Sequence, residues 1–223
     1  MTDQSTHEES VAPSKATKTS SRSKMMLVLG ICAFVLLVAG TGAGVVYSVY
    51  AKRSGGPIVR VIAKMFPLPA GRIGSQTILY RDFLTNRDTL DHFLKSPAAA
   101  AQQLAVPLDA ELEKNVLEKM MHETALKELG AEKNVTVSND ELRKYFTDVV
   151  AQASSTTPDI GVYLLDNFGW SEEDFRQNVL RPALLEEKLG AEMAKEKQGD
   201  PSALAVYLEE RLSRKDVTRY LKF

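Results

Sequence analysis

Three histidines, a single cysteine and 29 acidic residues are the groups in this 223-residue chain whose spacing would most readily mark nucleophilic, acid–base or metal chemistry. Their spacing argues against all three. His7, His92 and His122 are scattered, and there is no HExxH pair, no CxxC pair and no glycine-rich phosphate loop. His122 lies among Met120, Met121 and Glu123, with no second histidine or cysteine close in sequence. Cys32 stands inside an apolar run, and the rest of the chain is cysteine-free, which leaves neither a disulfide nor a thiolate metal site. A lipid-bearing role for Cys32 fails because Ile31 stands where a small residue is needed. The acids Glu172, Glu173 and Asp174 follow Ser171, where carboxylates favour the first turn of a helix and its dipole. Glu186, Glu187 and Lys188 read as a solvated helix face. The expectation is a protein with no catalytic step, no cofactor and no metal, acting by binding.

The run from Met25 to Tyr50 sets the location. It contains no Asp, Glu, Lys, Arg or His. As a helix it would reach roughly 39 Å, against a hydrocarbon core of ~30 Å, and a helix satisfies its own backbone polar groups in lipid. A single membrane-spanning signal anchor is therefore expected over residues 25–50. A cleaved signal peptide, with Met25 to Val38 as its apolar region and small residues at 39–43, is the competing reading. Apolar residues resume at Val45, Val46, Tyr47, Val49 and Tyr50, and the tail ahead is long for such a peptide. Lys15, Lys18, Arg22 and Lys24 before the run nearly balance Lys52, Arg53, Arg60 and Lys64 after it, so charge says little about orientation. The N-terminus is expected in the cytoplasm and the bulk of the chain outside it, since a first span near the N-terminus commonly acts as an uncleaved anchor. Residues 1–24, rich in Ser, Thr and Lys, read as a disordered cytoplasmic tail. With 28 basic against 29 acidic residues, nothing calls for nucleic acid as a partner.

The elements that would position a binding surface follow from periodicity and breakers. Residues 51–66 read as a juxtamembrane linker, free over Lys52 to Pro57, then a short strand over the apolar, β-branched stretch Ile58 to Phe66. Pro67 and Pro69 enforce extended backbone, and Ile73 and Ile78 anchor a tight turn. Helices are expected over Tyr80 to Lys95 and over Asp109 to Leu129. The second has Leu112, Val116, Leu117, Met120, Met121 and Ala125 on one face and Gly130 as its C-cap. Ser138 and Glu141 form a capping box for a helix whose stripe is Leu142, Tyr145, Phe146, Val149 and Val150, ended by the loop Ser154 to Pro158. A short helix from Ile160 to Phe168 closes at Gly169. Ser171 caps the next, which runs through Met193 and is kinked by Pro182. A last helix, Ser202 to Ser213, precedes a strand or extended tail at Val217 to Phe223. The fold class is mainly α, with at most two or three short strands, residues 67–223 forming one domain.

Three pieces of this pattern, in order, resemble the N-terminal chaperone domain of the SurA family, which includes the PrsA-like and PpiD-like foldases. The first is the turn and helix start from Ile73 to Phe83, with Gly74 and Ser75 in place of the usual Asn-Gly and Leu79 in place of a capping threonine. The second is the long helix ending at Leu129 and Gly130, followed by Val135 to Leu142. The third runs from Gly169 to Phe175 and closes on Leu185 to Leu189. The resemblance implies a helical module that shields non-native chains outside the cytoplasm. Many relatives insert a parvulin-type prolyl isomerase domain before the last helix. Here only Lys195 to Pro201 stand in that place, so the resemblance implies a bacterial chaperone module without the isomerase.

Such binding needs exposed apolar surface of adaptable shape, for which thioethers and rings are suited. Met120, Met121, Tyr145, Phe146, Tyr163, Phe168, Trp170 and Phe175 are the peptide-binding candidates, and the same side chains would equally serve an ordinary core. The implied partners are unfolded or emerging secreted polypeptides, and the lipid bilayer through Met25 to Tyr50. Two other functions stay open: an anchored assembly subunit holding one folded partner, and a prolyl isomerase relative.

Overall fold

Ile73 and Ile78, the two apolar anchors, begin the fold as a hairpin. Strand β1 (Pro69–Ile73) pairs antiparallel with β2 (Gln76–Leu79), with Ile73 opposite Gln76 and a bulge between Pro69 and Gly71. Strand β3 (Val217–Arg219) closes on the other edge of β1, pairing Ile73 with Val217, so the sheet order is β2-β1-β3. The computed structural model describes residue 44, residues 46–153 and residues 159–223. The expected tail at residues 1–24, the expected span over Met25 to Tyr50 apart from residues 44 and 46–50, and the loop Ser154 to Pro158 lie outside the described residues. The chain divides into two units, Met1–Val46 and Tyr47–Phe223, and the sheet and every helix from Pro57 onward belong to the second.

Around this small sheet the described residues are mainly helical, in line with the expected fold class. The helices are α1 (Pro57–Met65), α2 (Tyr80–Leu94), α3 (Pro97–Ala101), α4 (Ala110–Lys133), α5 (Asn139–Ala153), α6 (Ile160–Phe168), α7 (Glu172–Phe175), α8 (Arg181–Glu196) and α9 (Ala203–Ser213). Helix α4 is the hub. It packs on β1, β2, α2, α8 and α9, and Val116, Leu117, Met121, Ala125, Leu126 and Leu129 are buried along it. Gly71 allows that packing. A Cβ there would come 2.7 Å from the Met121 sulfur, so any larger residue would require that buried thioether to shift.

Local caps form where the sequence places them. The Ser138 hydroxyl accepts from the Glu141 amide at 3.2 Å, and the Glu141 carboxylate accepts from the Ser138 amide at 2.8 Å. Ser171 and Asp174 repeat the arrangement at α7. Three local expectations are corrected. Ile58 to Phe66 is not a strand: Pro57 occupies the first position of α1, where its missing amide costs nothing, and Val59 and Ala63 supply the buried i, i+4 pair. Helix α4 does not stop at Gly130. It continues to Lys133 and ends on Asn134 at φ 56°, because the Val135 amide reaches back to the Gly130 carbonyl at 2.8 Å. Where a kink at Pro182 is expected, a π-helical turn, Arg176–Leu180, leads into α8, and the Arg181 amide donates to the Arg176 carbonyl. Widening the helix there accommodates the carbonyl that the proline cannot serve.

The stretch after the apolar run is also corrected. Lys52 to Pro57 is not a free linker. Arg53 Nε donates to Glu113 Oε2 at 2.7 Å, the Tyr80 hydroxyl donates to the Ser54 carbonyl at 3.0 Å, and Arg87 Nη1 donates to the Arg53 carbonyl at 3.1 Å. Residues 47–50 are helical, Val49 is buried, and the Tyr50 ring meets Tyr220 with centroids 6.3 Å apart. Among the described residues no helix is long and apolar enough to cross a membrane.

Candidate functional site

The eight candidate side chains do not converge on one place. Met121 is wholly buried and Met120 nearly so, both in the core along α4. Met121 therefore offers no free thioether, since α4 packs on β1, β2, α2, α8 and α9, and Met120 keeps only a small edge of surface. Phe146 and Phe175 form one pair, edge to face with centroids 6.4 Å apart, and the Arg176 guanidinium lies 5.0 Å from the Phe146 ring. Tyr145 is half-buried on α5. Tyr163, Phe168 and Trp170 do come together, on and just after α6.

Helix α6 is fastened at both ends and along one side. The Asp159 carboxylate accepts from the Val162 amide at 3.1 Å. Gly169, at φ 68°, turns the chain so that its own amide and that of Trp170 reach the carbonyls of Leu165 and Leu164. Buried Asn167 accepts from the Ala98 amide at 3.3 Å and donates to the Tyr163 carbonyl at 2.8 Å, tying α6 to the start of α3. The Trp170 indole N–H donates to Thr89 Oγ1 on α2 at 3.2 Å. The Phe168 ring then stacks on Phe93 of α2 at 5.0 Å, nearly parallel, and on Trp170 at 5.4 Å, while Tyr163 meets its edge at 6.3 Å. These contacts all draw α6 onto α2 and α3. Its opposite face is left in solvent, with Val162 54% and Leu165 60% exposed. The result is a short apolar ridge on a rigid aromatic base. Contact with apolar side chains is what it offers, beside the exposed carboxylate of Asp166.

A cleft of another character lies elsewhere. It measures about 600 Å³ and lies between β2, α2, α4 and the π-helical turn. Ile78 and Met120 line it, but Thr77, Asp82, Asn86, Glu123, Lys127 and Gln177 make it predominantly polar. Among the described residues no group of three or more His, Cys, Asp or Glu is disposed to hold a metal. His122 Nε2 stands 3.6 Å from Glu186 Oε1, and His92 Nε2 stands 3.1 Å from the Asp166 carbonyl oxygen. No family model, curated protein or solved structure matches this chain.

Two features escape a reading by residue type. Phe93 completes the aromatic stack around Phe168, yet nothing local distinguishes it from any apolar position of α2. The second is an outward stripe on α1. Ile58 is 74% exposed and Met65 71%, with Val61 and Phe66 also exposed, whereas only the smaller Val59 and Ala63 face inward. The spacing 58, 61, 62, 65 is helical and is the signal that marks it. The branched side chains outweigh that signal in a reading by propensity.

Proposed function

We propose that this chain is a membrane-anchored, extracytoplasmic holding chaperone of the SurA N-terminal-domain type, which binds unfolded or emerging polypeptides through apolar surface and performs no catalytic step. The observation that carries the reading is the exposed Val162 and Leu165 ridge on its aromatic base. A ridge of this size gives weak, sequence-tolerant contacts, and anchoring offsets that weakness by raising local concentration beside the membrane. The anchor is the uncharged run that starts at Met25. The compact unit begins at Tyr47, and residues 25–46 alone would reach roughly 33 Å as a helix, still enough for a ~30 Å hydrocarbon core. The mainly helical fold is in keeping with the resemblance, while the uncapped start of α2 at Leu79 departs from it.

The test is light scattering of a chemically unfolded secreted protein diluted into the full-length chain held in lipid nanodiscs. The native chain is expected to suppress aggregation, and Val162→Ser with Leu165→Ser to lose most of that effect at unchanged circular dichroism. No suppression by the native chain overturns the reading. A stoichiometric complex with one folded protein, and none with unfolded ones, would replace it with the assembly-subunit function.

A further inference from the structure

We propose that helix α1 lies in the interface of the bilayer, with Ile58, Val61 and Met65, followed by Phe66, sunk into the boundary between headgroups and acyl chains. This rests on the anchor proposed above and is independent of client binding. The first ground is the direction of the helix's amphipathicity. A helix that served only its own fold would turn its largest apolar side chains inward. Here α1 packs on α2 through Val59 and Ala63 and presents Ile58, Val61 and Met65 to solvent. The second ground is where the rest of the chain ends. The spanning stretch proposed above ends at residue 46 and α1 starts at Pro57. The ten intervening residues would span at most roughly 35 Å fully extended. They are not extended, since residues 47–50 are helical, the Ser54 amide donates back to the Ser48 carbonyl at 2.8 Å and Arg60 Nε donates to the Gly55 carbonyl at 2.6 Å. With the preceding run in lipid, the stripe cannot be far from the membrane surface.

The third ground is charge. Helix α1 carries Arg60 and Lys64 and no acidic residue. Arg60 is held by Asp88 through two bonds of 2.7 and 2.9 Å, which leaves exposed Lys64, with exposed Lys52 just ahead of the helix, to meet anionic headgroups. An apolar face bordered by lysines is the composition of a helix that lies in the interfacial plane.

The full-length chain tests this in nanodiscs of phosphatidylcholine and phosphatidylglycerol in equal parts, open to solvent on both faces. In a Cys32→Ser background, Val61→Cys, Met65→Cys and, as the exposed control on α9, Glu209→Cys each carry an environment-sensitive fluorophore. The labels at 61 and 65 are expected to lose iodide quenching, to shift to the blue, and to be quenched by lipids spin-labelled high on the acyl chain, while the label at 209 shows none of these. Iodide quenching at 61 and 65 equal to that at 209 overturns the proposal, as does protection that appears only when an unfolded polypeptide is added. A carbonate wash of membranes holding the chain separates the two failures. Release of the chain removes the anchor and this inference with it, whereas retention with iodide-accessible labels removes the inference alone.

Discussion

Met121 and Met65 are the same residue type on two helices of one unit, and the fold treats them in opposite ways. On α4, Met121 is sealed against Gly71 of β1. On α1, Met65 is 71% exposed. The contrast extends along each helix, since α4 buries large side chains on every side that a neighbour covers and α1 buries only Val59 and Ala63. Concavity and apolar surface are likewise separated: the cleft of about 600 Å³ is lined mostly by polar side chains, and the exposed apolar stripes of α1 and α6 stand outside it. A surface of that kind receives another large, deformable apolar phase more readily than a small ligand.

The sharpest way to break this contrast is to truncate both methionines. Met121→Ala removes a fully buried thioether and leaves a cavity, with an expected loss of about 2–5 kcal/mol. Met65→Ser at an exposed position should stay within about 0.5 kcal/mol. Urea melts of the two variants measure the difference, and equal losses would mean that α1 is covered in solution.

A second experiment asks whether the hub is held by polar contacts as well. The Arg211 guanidinium, buried on α9, donates Nε and Nη2 to the Glu128 carboxylate of α4 at 2.9 and 3.0 Å, and Nη1 to Asp216 at 3.1 Å. Arg211→Ala should cost about 2–3 kcal/mol in the same melts, less than a fully dry pair, because Glu128 keeps a third of its side chain in solvent. Arg211→Met, which keeps the packing, should recover only a small part.

The smallest effect belongs to the rim. Lys188, the Ser138 amide and the Ser138 hydroxyl hold the Glu141 carboxyl at about 2, below its ordinary 4.5. A carboxyl depressed by folding contributes stability above pH 4.5, and the contribution fades as pH falls from 4.5 towards 2. Glu141→Gln should therefore flatten that part of the stability-against-pH curve and leave the curve above about pH 5 parallel to the native one. The group is solvent-exposed, so the change is a slope and not a collapse. A steep acid transition that survives in Glu141→Gln would place the sensitive carboxylate elsewhere.

What the sequence made legible was local. The Ser138–Glu141 and Ser171–Asp174 boxes, the closure of α6 at Gly169 and the anchors Ile73 and Ile78 each depend on neighbours within a few residues. Helix α1 misleads because its branched side chains favour strands, while Pro57 and the 58, 61, 62, 65 spacing favour a helix, and tertiary packing on α2 decides between them. Helix α4 outruns Gly130 because a nearby amide, from Val135, is available to its carbonyl. The aromatic base of the candidate site is only half legible. Tyr163, Phe168 and Trp170 are close in sequence, but Phe93 and Thr89 arrive from α2, far along the chain. The same holds for Glu128 with Arg211 and for Arg53 with Glu113.

The strap formed by Arg53, Ser54 and Gly55 has a mechanical consequence. Bonded to Glu113, Tyr80 and Arg60, it holds no slack that could be let out between the root at Tyr47 and the body. With the proposed anchor ahead of it, a module on so short a line would meet only what surfaces beside it, and a different catchment would require drifting sideways through the lipid.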